Sequence, residues 1–215
     1  MIFNSQPKFS VEGLALIVLG FTAPAMLYIM NIWLPVFGRE AVGMSLVDSL
    51  KLYSLYSIGA VISVVILSLI VGRRVKAITI ILLYPILSLI SILVLITIKT
   101  PVVAAIMSFM LGVTLAGVLQ LGLSILCEFF WDRKGRMTGV MYSATALATA
   151  VVPLITGYIT RLYDIQGVFT FMIIINAIGI FVSAIVNYRY RILAKPDHRL
   201  DMDEFDYQAE SSKAI

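Results

Sequence analysis

The side chains of this chain best suited to chemistry are uncharged hydrogen-bonding groups set at helical spacing inside long apolar runs. Between Gly13 and Phe37, the residues Pro24, Tyr28, Asn31 and Pro35 recur at steps of four, three and four, which puts them on one helix face. Asn31 stands out there, because a buried amide needs several partners, from neighbouring helices or from a solute. Between Val102 and Leu126 and just beyond, Gly112, Ala116, Gln120, Ser124 and Glu128 form a row at steps of four, with small residues first and polar ones later. Gln120 near mid-run is a second amide of the same kind, with helix-to-helix hydrogen bonding as the equal alternative. A third row holds Thr138, Tyr142, Thr145, Thr149, Thr156 and Thr160, with Pro153 near its gap. Its hydroxyls either line a polar cavity or bond back to carbonyls of the preceding turn and permit close packing. The chemistry open to such a set is recognition of a solute, so Tyr28, Asn31, Gln120, Tyr142 and Thr145 are the expected contact residues.

The same inventory argues against other chemistries. The centres of the apolar runs contain no Asp, Glu, Lys, Arg or His, so they lack the buried acid, base or activated nucleophile an intramembrane enzyme needs. The only histidine, His198, and the only cysteine, Cys127, stand far apart, which leaves no metal-ligand cluster and no internal disulfide. Cys127 reads as a buried small side chain near a helix end. There is no Gly-x-x-x-x-Gly-Lys-Ser/Thr phosphate loop, so no nucleotide is hydrolysed by that route. The expectation is a protein that is not an enzyme and carries no cofactor. Tyr53 and Tyr56 read as interface anchors in preference to cavity walls, and Asn176 as a packing contact.

The elements that must position these residues are membrane spans. The chain is 60% hydrophobic and 13% charged, with a mean hydropathy of +1.01, against about 25% charged residues in soluble domains. The segment Cys127 to Gly139 is the densest charged island, and Asp132, Arg133, Lys134 and Arg136 within it cost roughly 2.5 to 3.5 kcal/mol each at a bilayer centre. It is therefore a loop at a membrane surface. Runs near Gly13 to Phe37, Leu46 to Val71, Ala77 to Ile98, Val102 to Leu126, Met137 to Thr160 and Val168 to Tyr188 each suffice for the ~20 residues that cross lipid. The expected fold is all-α: one polytopic bundle of six transmembrane helices, with inverted repeats of three helices each as one arrangement. Continuous apolar runs exclude a barrel of alternating strands. Residues 1–12 form a cytoplasmic N-terminal segment, 13–190 the helical domain and 191–215 a polar acidic tail. The first run is too long for the apolar core of a cleaved signal.

Charge placement sets the orientation. Arg73, Arg74, Lys76, Arg133, Lys134, Arg136, Arg189, Arg191, Lys195, Arg199 and Lys213 fall on one side, against Arg39, Lys51, Lys99 and Arg161 on the other. The positive-inside rule then puts both termini in the cytoplasm of a multi-pass inner-membrane protein. The net charge of +4 is spread over short loops, a pattern of topology and not of nucleic-acid binding. Gly135 and Gly139 give a Gly-x-x-x-Gly spacing that suggests a turn followed by close packing on the fourth span.

The order of these features resembles the carboxy-terminal half of a major facilitator superfamily transporter over about residues 10 to 192. The residues responsible are Trp33-Leu34-Pro35 followed by Gly43-Met44-Ser45, the turn Gly72-Arg73-Arg74, the loop Asp132-Arg133-Lys134-Gly135-Arg136-Met137-Thr138-Gly139, and Pro153-Leu154-Ile155-Thr156-Gly157. Leu69 and Ile70 stand where that family's loop signature usually has Asp-Arg, so the charge-relay form of the motif is absent. The resemblance implies that spans one and four line a central cavity, two and five flank it, and three and six lie outside. It also implies alternating access by the rocking of two six-helix halves. The expected function is secondary transport of a small solute, with the lipid bilayer and a second six-helix half, a separate chain or a second copy, as partners. A non-transporting remnant of a split transporter, and a membrane-embedded interaction protein, are the alternatives.

Overall fold

The computed structural model describes residues 9–71 and 75–193, and among them every regular element is helical. A π-helical turn, Phe9–Gly13, leads into α1, Leu14–Glu40; α2 is Leu46–Ile70, α3 Ala77–Thr97, α4 Pro101–Leu115, α5 Val118–Phe129 and α6 Lys134–Leu193. Five segments of these described residues are long and apolar enough to cross a membrane: Val11–Glu40, Leu46–Ile70, Ala77–Thr97, Pro101–Phe129 and Trp131–Leu193. The expected turn residues Gly72, Arg73 and Arg74 lie outside the described residues, as does most of the acidic tail.

Local sequence explains most of the helix ends. Ser45 caps α2, its Oγ accepting from the Asp48 N–H at 3.1 Å while donating to Asp48 Oδ2 at 2.7 Å. Pro101 occupies the first position of α4, where its missing N–H costs nothing. The chain between α1 and α2 reverses through Gly43 at φ 75°, a left-handed conformation suited to glycine.

Two elements depart from the expected spans. The fourth apolar run is broken at Ala116 and Gly117 into α4 and α5. The expected loop Arg161 to Gly167 is instead helical on both sides of one residue, Asp164, at φ 59° and ψ −172°. The helix on either side of Asp164 turns back on itself. The N-terminal arm follows α1 in parallel, with Met141 against Gly20 and Thr156 bonded to Trp33. The C-terminal arm runs the other way, from Phe169 stacked on Phe37 to Arg189 paired with Glu12.

Packing is organised on α1, which is sandwiched by the two arms of α6 and closed by α2 and α5, while α2 lies on α4 and α3 bridges α4 to the C-terminal arm. Backbones touch where glycine allows it. A Cβ on Gly112 would collide with the Tyr56 carbonyl, and one on Gly59 with the Phe109 carbonyl, so α2 and α4 meet main chain to main chain. At Gly135 and Gly139 a Cβ would meet nothing within 4 Å. The expected close packing at that glycine pair is therefore not formed; both residues are exposed at the start of α6. One core cluster lies around Phe37, Phe169, Leu34 and Leu111, and a second around Leu16, Leu19, Ile81 and Met141. Outside the core, α2 exposes Ile58, Val61, Val65 and Leu69, and α3 exposes Leu83, Ile90 and Leu93. Such faces match hydrocarbon, not water.

Candidate functional site

The residues expected to meet a solute do not converge on one cavity. On α1, Tyr28 and Asn31 are both exposed, and on α6 Tyr142 is exposed at 53%. Gln120, also exposed, lines a groove of about 330 Å³ with Val64, Leu67, Ser68 and Val71 of α2 and with Gly117 and Leu121; none of the other four expected residues lines it. That groove opens beside the break between α4 and α5. The Leu67 side chain fills the place a Cβ would take on Gly117, so the interruption is wedged from α2. Ala116 (φ −65°, ψ −32°) and Gly117 (φ −93°, ψ −12°) keep helical backbone angles and the Gly117 carbonyl accepts from the Leu121 N–H at 3.0 Å, so the interruption is a kink within one span, Pro101–Phe129.

The row read as Gly112, Ala116, Gln120, Ser124 and Glu128 does not hold one face. Gly112 and Ala116 are buried whereas Gln120, Ser124 and Glu128 are exposed. Four residues advance a helix by about 400°, so each step turns the row by about 40°, and the break adds to the drift. The steps of four, three and four on α1 nearly cancel that rotation, and Tyr28 and Asn31 do share the exposed side.

Thr145 has a defined structural task. Pro24 has no N–H to give the Gly20 carbonyl, and the Thr145 hydroxyl donates to that carbonyl across the helix interface at 2.9 Å. It lies 3.2 Å from its own Met141 carbonyl as well. With its proton so committed, Thr145 offers a ligand only lone pairs. Three more hydroxyls of the row bond back to the preceding turn: Thr149 to the Ala146 carbonyl, Thr156 to Val152 and Thr160 to Thr156. Thr156 is buried and also accepts from Trp33 Nε1 at 2.9 Å, which pins the N-terminal arm of α6 to the far end of α1.

Several polar contacts were not legible as such. Asn176 is buried and donates to the Pro85 carbonyl at 3.2 Å and to Ser88 Oγ at 2.9 Å, the packing role expected of it. With Thr22 these groups line a space of about 20 Å³, enough for one water. Glu12, fully buried, pairs with Arg189 at 2.6 Å, and Tyr190 donates to Glu128 at 3.0 Å. By sequence, Glu12 falls in the N-terminal segment and Arg189 at the end of the helical domain; their only signal was opposite charge at the two ends of that domain. Tyr56 is buried with no hydrogen-bond partner for its hydroxyl, stacked 6.2 Å from the exposed Tyr53. The burial of Tyr56 is at odds with an anchor role, while Tyr53 is exposed. Cys127 is half-buried with Sγ 3.6 Å from Thr138 Oγ1. Asp132, Arg133, Lys134, Gly135 and Arg136 are all exposed at the turn into α6.

Among the described residues no group of His, Cys, Asp and Glu is arranged to hold a metal ion. No protein-family model matches the chain. It is 41% identical over 192 residues to the uncharacterized MFS-type transporter YfkL of Bacillus subtilis, covering 89% of this chain and 48% of that protein. It is 33% identical over 190 residues to the inner membrane transport protein YdiM of Escherichia coli, covering 87% of the chain and 47% of YdiM. For YdiN of the same bacterium the identity is 31% over 208 residues, with 94% and 49% covered. The chain spans about half the length of these relatives. It resembles one half of an MFS-type transporter and is a multi-pass membrane protein.

Proposed function

We propose that this chain supplies one of the two six-helix halves of a secondary transporter that moves a small solute by alternating access. The second half would come from the same polypeptide, a second copy or a separate chain. The relatives named as transport proteins support the role, and the reversal of α6 at Asp164 supports the six-span count. A straight helix of 60 residues would be about 90 Å long, three times the hydrocarbon thickness, whereas two arms of about 30 residues each cross once. An even number of crossings returns both ends to one side, and the basic loops argue that this side is the cytoplasm.

The observation that carries the site is the exposed polar face of α1. Tyr28 and Asn31 stand with Ile32 on the exposed strip of a helix that is otherwise largely packed, and an unpartnered amide facing hydrocarbon would be costly. In this reading Tyr28, Asn31, Gln120 and Tyr142 face a water-filled path shared with the second half, and Thr145 accepts from a solute donor while holding Gly20.

A membrane-impermeant maleimide tests the proposal without a known solute. In a Cys127→Ser background, cysteines placed at Asn31 and Gln120 are expected to react from the aqueous phase, while one at the lipid-exposed Ile90 stays unlabelled. Protection of Asn31 and Gln120 to the same extent as Ile90 would remove the proposed path.

A further inference from the structure

We propose that the groove at the start of α6 is a binding site for the phosphate of an anionic phospholipid, independent of the solute path. Arg133 and Arg136 line an open groove of about 310 Å³ whose remaining walls are Phe130, Met137 and Val140. Both arginines are exposed, and the ion pairs of the described residues, Lys51 with Asp48 and Arg189 with Glu12, leave neither of them with a carboxylate. Asp132 lies in the same turn but is not among the residues lining the groove. Lys134 is turned away over the Trp131 ring, 3.9 Å from its centroid, so it adds to the local field while its contact is with the indole.

The two guanidinium groups can grip phosphate oxygens in pairs. A 3-10 turn, Trp131–Arg133, runs directly into α6 at Lys134, so the amino-terminal end of that helix dipole adds partial positive charge to the same end. The other half of the groove selects between sources of phosphate. Val140, exposed on this wall, leads into the apolar body of α6 past the buried Met137, and a free phosphate would leave Val140 wet. A phosphodiester joined to acyl chains satisfies both halves at once. Depth agrees, because Trp131 at this turn is 70% exposed, as an indole at headgroup level is.

The test is native mass spectrometry of the full chain released from neutral detergent, titrated with phosphatidylglycerol or with phosphatidylcholine of matched acyl chains. Wild type is expected to retain phosphatidylglycerol roughly tenfold better. Arg133→Gln with Arg136→Gln should reduce that preference to about onefold, the double Lys replacement should keep part of it, and Arg161→Gln in the opposite turn should leave it intact. Equal retention of the two lipids by wild type, or an undiminished preference in the double Gln variant, overturns the site. Displacement of phosphatidylglycerol by inorganic phosphate alone would also overturn it, by showing a soluble anion as the ligand. Wild-type retention needs no variant, so the proposal is decided even if a substituted chain fails to fold.

Discussion

The contact of Thr145 with Gly20 shows how single residues hold this bundle. Pro24 frees a carbonyl, Gly20 lets Met141 of the neighbouring helix come close, and Thr145 supplies the proton the proline lacks. Small residues matter more directly between α2 and α4, where Gly59 and Gly112 bring backbones into contact. No side chain can move aside at Gly112, because the obstacle is the Tyr56 main chain. Gly112→Leu is therefore expected to destabilise the folded chain by about 3 kcal/mol or more. Gly139→Leu, which would meet open space, should stay within about 0.5 kcal/mol of wild type. Thermal or denaturant unfolding in one detergent compares the two, and equal losses would contradict the packing described. Nothing in the sequence separates these glycines. Gly135 and Gly139 have the familiar spacing, whereas the pair that touches lies on different helices and depends on how those helices are aligned.

At the scale of the element, the long helices were legible because a run of apolar residues longer than about 20 has few other structures open to it in lipid. The interruptions were not. The kink between α4 and α5 falls at Ala116 and Gly117 with no charge or proline to announce it, where the Leu67 side chain of α2 is seated on Gly117. The reversal in α6 was visible as a polar segment from Arg161 to Gly167, but hydropathy could not show that one residue would carry the whole turn. Asp164 sits at φ 59° and ψ −172°, a region nearly reserved for glycine and costing other residues about 1 to 3 kcal/mol. Asp164→Gly should thus raise the unfolding midpoint, by about 1 kcal/mol in stability, and Asp164→Val should lower it. A lower midpoint for Asp164→Gly would mean that the carboxylate, not the backbone, holds the turn. The candidate site was half legible for a similar reason. On α1 only Tyr28 and Asn31 of the row are exposed, with Pro24 buried and Pro35 half-buried, while the row through Gln120 rotates out of register.

For the molecule as a whole, one architecture relates the apolar runs, the basic turns and the half-length similarity to transport proteins. α1 runs through the centre, flanked by arms of α6 that lie antiparallel to each other, and the outer faces of α2 and α3 are mostly apolar. The buried pair of Glu12 and Arg189 ties the start of the bundle to its end. That pairing requires the beginning of α1 and the end of α6 to lie at one membrane surface, which six crossings provide and five do not. Side-specific reporters decide the matter: one fused after Lys134 and one fused after Asp164, each read for cytoplasmic or external location in intact cells. The account predicts opposite sides, with the Lys134 junction cytoplasmic and the Asp164 junction external. Both junctions on the same side would contradict it, because the arms of α6 would then not each cross the bilayer.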